Sequence, residues 1–102
     1  MRYRNIEDFA VTQDQMENVA RTIYNFMPPT PQYNWPLLSQ RVGTEVWVKH
    51  ENHTPTGAFK IRGGLVYVDY MGGKKNASFE FIAATRGNHG QSVATAASHK
   101  GF

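Results

Sequence analysis

Two strand-like segments, residues 45–50 (EVWVKH) and 79–84 (FEFIAA), are each followed by a loop and then by a helix-like segment. In the first, Val46 and Val48 alternate with Trp47 and Lys49, the pattern of a half-buried strand. The order strand, helix, strand, helix predicts an α/β fold, an open parallel sheet with flanking helices, because a parallel neighbour can be reached only through a crossover element. Strands in such a sheet need neighbours on both sides, and two alone are marginal. The expected architecture is therefore incomplete within these 102 residues. Either the chain is truncated after the second βα unit, the preferred reading, or another chain completes the sheet.

Ahead of this pattern, Met16, Val19, Ala20, Ile23, Phe26 and Met27 fall at helical spacing, and Thr12 with Gln15 forms a capping-box pair. Pro28, Pro29 and Pro31 stop that helix by removing donors and restricting the residues before them, and an extended connector follows. Residues 37–42 read as a short helix closed by Gly43 in the left-handed region. A longer helix is expected over 58–71, capped by Thr56, carrying Lys60 in its first turn and ended by Gly72 and Gly73. Gly63 and Gly64 inside it cost about 1 kcal/mol each relative to alanine and suggest close backbone approach by another element. Residues 85–90 read as a loop and 91–100 as a helix capped by Gly101. The division expected is an N-terminal helical extension, 1–29, and an α/β portion, 30–102.

Composition removes several function classes. With no cysteine, disulfides, thiolate metal sites and thiol nucleophiles are excluded, and a reducing cytoplasm fits. The net charge of +3 is scattered, without the basic runs of a nucleic-acid arm, so no nucleic-acid partner is expected. No apolar run approaches the roughly 20 residues a membrane span needs, so no membrane partner is expected. His50, His53 and His99 pair with no carboxylates in a ligand spacing, and no metal is assigned.

Two loops carry the candidate chemistry, since ligands of open parallel sheets bind beyond the carboxyl ends of the strands. Residues 85–90 (TRGNHG) lead into a helix N-terminus, where exposed N–H groups and the helix dipole favour a carboxylate or phosphate. Lys60 lies near the positive end of its own helix, which lowers the cost of keeping its amine neutral and nucleophilic. Taken singly, neither loop excludes an ordinary turn or a solvated lysine, which is how Lys49, Lys74, Lys75 and Lys100 read.

Together, residues 51–63 (ENHTPTGAFKIRG) and 85–91 (TRGNHGQ) resemble the lysine segment and the glycine-asparagine-histidine loop of the fold-type II pyridoxal-phosphate enzymes, in the style of the serine/threonine dehydratases. The resemblance runs from about Thr30 to Phe102 and implies a tryptophan synthase β-like architecture. It implies that Lys60 forms the Schiff base with pyridoxal 5'-phosphate and, once released, removes the α-proton of an amino-acid substrate. Phe59 would pack on the cofactor ring and Asn88 would bond its 3-hydroxyl. Thr85, Gly87, Asn88 and His89 would hold the substrate carboxylate. The implied reaction eliminates water from threonine or serine to give a keto acid and ammonia.

Three features bear on it. The family's racemases place an acid/base serine where Arg86 stands, and a permanently protonated guanidinium fills that role poorly, so racemisation is disfavoured. His89 stands where β-replacing synthases carry threonine, which speaks for elimination. The family's phosphate-cradling glycine loop and its pyridine-nitrogen contact lie outside this sequence, and residues 72–75 (GGKK) lack the spacing of a P-loop. The expectation is the N-terminal part of a dehydratase that is homo-oligomeric when intact, with the 102-residue chain inactive by itself. The alternative is a catalytically silent fragment that folds or acts only by association.

Overall fold

The computed structural model describes residues 10–74 and 80–102. Helix α1 spans Gln13–Phe26 and opens on the expected capping box. The Thr12 hydroxyl accepts from the Gln15 N–H at 3.2 Å, while the Gln15 side chain accepts from the Thr12 N–H at 2.8 Å. Met27 is already extended, and the prolines that follow prevent a further turn.

The connector contains a strand of its own. β1, Gln32–Asn34, pairs antiparallel with β2, Trp47–Lys49, in the register Gln32↔Lys49, Tyr33↔Val48 and Asn34↔Trp47. Between them lies α2, Pro36–Val42, with proline in its first turn and Gly43 at φ 78° closing it as expected. Val46 and Val48 are half-buried while Trp47 and Lys49 are exposed, which is the predicted alternation. A 3-10 turn, Glu51–His53, leads toward α3, Lys60–Gly72, and α4 is Asn88–Lys100 with Gly101 at φ 82°.

Three expectations are corrected. The parallel sheet is not seen: the sheet among the described residues has two strands and is antiparallel. Residues 80–84 carry no strand, and Phe79 and Lys75 lie outside the described residues. A strand exists through its ladder, and no described segment pairs with 80–84. Second, Thr56 does not cap α3. The buried Thr54 hydroxyl instead accepts from the Ala58 N–H at 2.9 Å and donates to the Ala58 carbonyl at 2.8 Å, closing the turn before the helix. Third, α4 begins at Asn88 and not at 91, so Asn88, His89 and Gly90 belong to its first turn.

The core gathers Ile23 and Met27 of the α1 end, Ile61, Leu65 and Val68 of α3, and Ala96 of α4. The closest contact is between α3 and α4 at Gly64: a Cβ there would stand 2.2 Å from the Ser92 hydroxyl and 3.0 Å from its carbonyl oxygen. The backbone approach anticipated from the paired glycines therefore exists at Gly64, while an added Cβ at Gly63 would meet open space. At the other end, Lys100 pairs with Asp69 at 2.5 Å, Thr22 donates to the same carboxylate at 3.4 Å, and His99 packs edge-on against Phe26. Asp69 thus ties α1 and α4 to α3, and Lys100 is a partnered residue and not a merely solvated one.

Candidate functional site

Lys60 is the first residue of α3, and the helix has no side-chain cap of its own. Its position is set from outside. The Thr54–Ala58 turn, with Gly57 at φ 72°, fixes the approach, and Ser92 Oγ of α4 donates to the Lys60 carbonyl at 2.7 Å. Lys60 is an exposed residue, its Nζ 5.8 Å from the centre of the Phe59 ring.

Two residues further on, Arg62 grips Glu51 with both arms of its guanidinium, Nε to Oε2 at 2.7 Å and Nη2 to Oε1 at 3.0 Å. The buried Thr30 hydroxyl donates to Glu51 Oε1 at 2.5 Å, and Lys49 donates to the Thr30 carbonyl at 3.4 Å. Hydrogen bonds from Arg62, foremost, hold the Glu51 carboxyl down at about 2, against the opposing push of burial. The same bonds to Glu51 push the Arg62 guanidinium further up. This network locks the loop before α3 to the helix and to the connector after α1.

The second loop is organised around Thr85. Its hydroxyl accepts from the Gly87 N–H at 3.0 Å and from the Gly90 N–H at 2.9 Å, leaving its own O–H to donate outward. Gly87, at φ 144°, occupies backbone space that favours glycine, and a Cβ on Gly90 would stand 2.5 Å from the Thr85 methyl. The Asn88 and His89 N–H groups remain at the open N-terminus of α4.

Lys60 borders two clefts. One, of about 400 Å³, is lined by Lys60 with Thr85, Arg86, Gly87, Asn88 and His89. The other, of about 270 Å³ and largely apolar, lies between Phe59, Lys60, Gly63, Tyr67, His89 and Val93. Neither is lined by an acidic side chain. A wider cleft of about 520 Å³ beside Phe81 and Phe102 contains no lysine and none of the predicted residues. The fold brings together Lys60, Phe59, Asn88, Thr85, Gly87 and His89. An amine, a largely apolar slot and a polar cleft at a helix N-terminus stand side by side.

Other titratable residues lie elsewhere. Trp35 Nε1 donates to His50 Nε2 at 3.0 Å within a ring cluster that includes Tyr33, and His53 flanks it. Among the described residues no group of three or more His, Asp or Glu could hold a metal, and no helix is long and apolar enough to cross a membrane. The residues missed by sequence reasoning are Thr30, Glu51, Arg62 and Ser92. Opposite charges on either side of the lysine were a visible signal for the ion pair, and Gly64 marked the approach of Ser92.

The sequence profile of the pyridoxal-phosphate dependent enzymes matches residues 23–102, which takes in every residue of both clefts. The chain belongs to that family. Pyridoxal phosphate is the cofactor of this family, and the donor set around Lys60 suits it. Among curated relatives of this pyridoxal-phosphate family member, the biosynthetic L-threonine dehydratase of Pasteurella multocida is 37% identical over 84 residues, 82% of this chain and 16% of the relative. The L-threonine ammonia-lyase of Thermotoga maritima is 33% identical, covering 85% of this chain and 21% of the relative. The L-threo-3-hydroxyaspartate ammonia-lyase of Saccharomyces cerevisiae is 30% identical, covering 84% and 26%. The chain therefore spans between a sixth and about a quarter of the length of these relatives. No solved structure gives a significant match.

Proposed function

We propose that this chain supplies the lysine and the carboxylate-binding loop of a pyridoxal-phosphate dependent dehydratase, or ammonia-lyase, that eliminates water from a β-hydroxy amino acid, threonine or serine. The observation that carries this reading is that Lys60 opens onto both the apolar slot and the polar cleft at the α4 N-terminus. The names of the relatives support the reaction class.

Bound pyridoxal phosphate supplies the electron sink for negative charge at the substrate Cα. Phe59 and Tyr67 provide apolar surface for its ring, and Asn88 offers a side-chain amide to its 3-hydroxyl. The substrate carboxylate sits where the α4 dipole is positive, receiving the Thr85 O–H and the N–H groups of Asn88 and His89. Lys60 Nζ, with its stem on the same cleft, takes the proton from Cα. Arg86 lines that cleft as a fixed cation and serves neither as acid nor as base.

The test is an absorption titration of the chain with pyridoxal phosphate beside Lys60→Ala, followed by borohydride reduction and peptide mapping. Label concentrated at Lys60 and lost in the variant is expected. Label spread over Lys49, Lys74, Lys75 and Lys100 and unchanged by the substitution would sink the assignment of Lys60. In the intact enzyme, turnover of threonine or serine only with an added nucleophile, giving a β-substituted amino acid in place of keto acid and ammonia, would replace the dehydratase reading by a synthase.

A further inference from the structure

We propose that Ser92 is a positioning residue for Lys60: its buried hydroxyl sets the lysine backbone against the helix whose first turn holds the substrate carboxylate. The inference rests on the cofactor reading of Lys60 given above.

Ser92 is completely buried, and its side chain is spent on one contact across the helix pair, the 2.7 Å bond to the Lys60 carbonyl. A buried hydroxyl without a partner is unfavourable, so the bond resists breaking, and α3 must present that carbonyl for α4 to dock. Gly64 shows that the contact is built for this geometry, since any Cβ there would meet Ser92 Oγ at 2.2 Å. The location matters for chemistry. Ser92 stands four residues after Asn88 and three after His89, so all three share one face of α4. Lys60 is thereby tied one helical turn from the two residues that line the carboxylate cleft with it. Because α3 has no side-chain cap, its N-terminal backbone gets this restraint from Ser92 and from the Thr54 turn.

The probe is pyridoxal phosphate at limiting concentration. Parent, Ser92→Ala, Gly64→Ala and Ile23→Ala chains are reduced with borohydride well below their melting temperatures, and the share of label at Lys60 relative to the other lysines is mapped. A net hydrogen bond of ordinary strength predicts a fall in the Lys60 share of about threefold to tenfold in Ser92→Ala. Gly64→Ala, which displaces the hydroxyl from the α3 side, gives a fall of the same order. Ile23→Ala weakens the core from the α1 side and leaves the share unchanged. If Ser92→Ala does not fold, Ser92→Cys, close in volume with a weak donor, is read in its place. An unchanged Lys60 share in the Ser92 variant overturns the proposal and leaves the cofactor reading standing. An equal fall in Ile23→Ala also overturns it, since the effect is then general loosening. No preference for Lys60 in the parent removes the cofactor reading, and the proposal goes with it.

Discussion

Glu51 shows how a single carboxylate can determine where a neighbouring lysine sits. It receives two bonds from Arg62 and one from Thr30, and with its own carboxyl held near 2 it stays ionised across the neutral range. A carboxyl whose folded value lies below its ordinary 4.5 stabilises the fold fully above that value, and the contribution is lost as pH falls from there toward about 2. Glu51→Gln is expected to lower stability at pH 7 by about 1–3 kcal/mol, because it weakens charge-assisted bonds and leaves the guanidinium without its counter-ion. Urea denaturation at a series of pH values checks the sign: the gap between parent and variant narrows as pH falls through that window. A gap that stays constant would mean that the pair contributes nothing titratable. Lys60 and Asn88 stand out in the sequence because each sits in a short motif, and the fold brings both to one cleft. The Glu51–Arg62 pair spans 11 positions around a turn, and which carboxylate meets which guanidinium is decided by the path of residues 54–59. Thr54 and Thr56 both precede the helix, and only the turn geometry selects Thr54 between them.

At the scale of elements, local signals predict α1, α2 and the α3 helix well, because capping boxes, prolines and left-handed glycines act within a few residues. α4 begins three residues before the position that residue propensities predict. Asn88, His89 and Gly90 look like turn residues by propensity, and the Thr85 hydroxyl, by taking the N–H groups of Gly87 and Gly90, does for this helix what a cap at its own boundary normally does. The same arrangement makes a prediction with a change of sign. Gly90→Ala alone drives a methyl to 2.5 Å from Thr85 Cγ2 and is expected to destabilise the chain by about 1–3 kcal/mol. In a Thr85→Ser background the clashing methyl is gone and the capping oxygen is kept, so Gly90→Ala becomes neutral or stabilising by up to about 1 kcal/mol through helix propensity. Thermal melts of the four members of this cycle measure the reversal. Equal destabilisation in both backgrounds would show that Thr85 Cγ2 is not what excludes a side chain at position 90. The strand expected at 79–84 belongs to a different category: its expectation rests on apolar composition, but a ladder is a relation between segments, and composition does not show whether a partner is in place.

Across the whole molecule the limiting quantity is burial. The Cα radius of gyration is 17.0 Å, against about 13 Å for a compact domain of a hundred residues, and few side chains among the described residues are fully enclosed. The apolar stripe of α1, continuous in the sequence, is divided by this shape: Ile23 and Met27 are 7% and 2% exposed against α3, whereas Met16 is 62% exposed. Helix periodicity gives the face of a helix but not how far along that face a neighbour reaches, and here α3 covers only the C-terminal half. Two substitutions of similar chemistry should therefore behave differently. Ile23→Ala removes a core side chain and is expected to cost about 2–4 kcal/mol, a large fraction of the stability of so small a domain. Met16→Ala, about two helical turns nearer the N-terminus on the same stripe, is expected to stay within about 0.5 kcal/mol. At roughly 4–8 °C per kcal/mol for a chain of this size, the first variant separates from the parent in a thermal melt by at least about 8 °C and the second by no more than about 4 °C. If Met16→Ala shifts the melt as far as Ile23→Ala, the N-terminal half of α1 is covered in solution, by a second copy or by the chain itself. Sedimentation of the parent then decides between them, because only a second copy raises the mass.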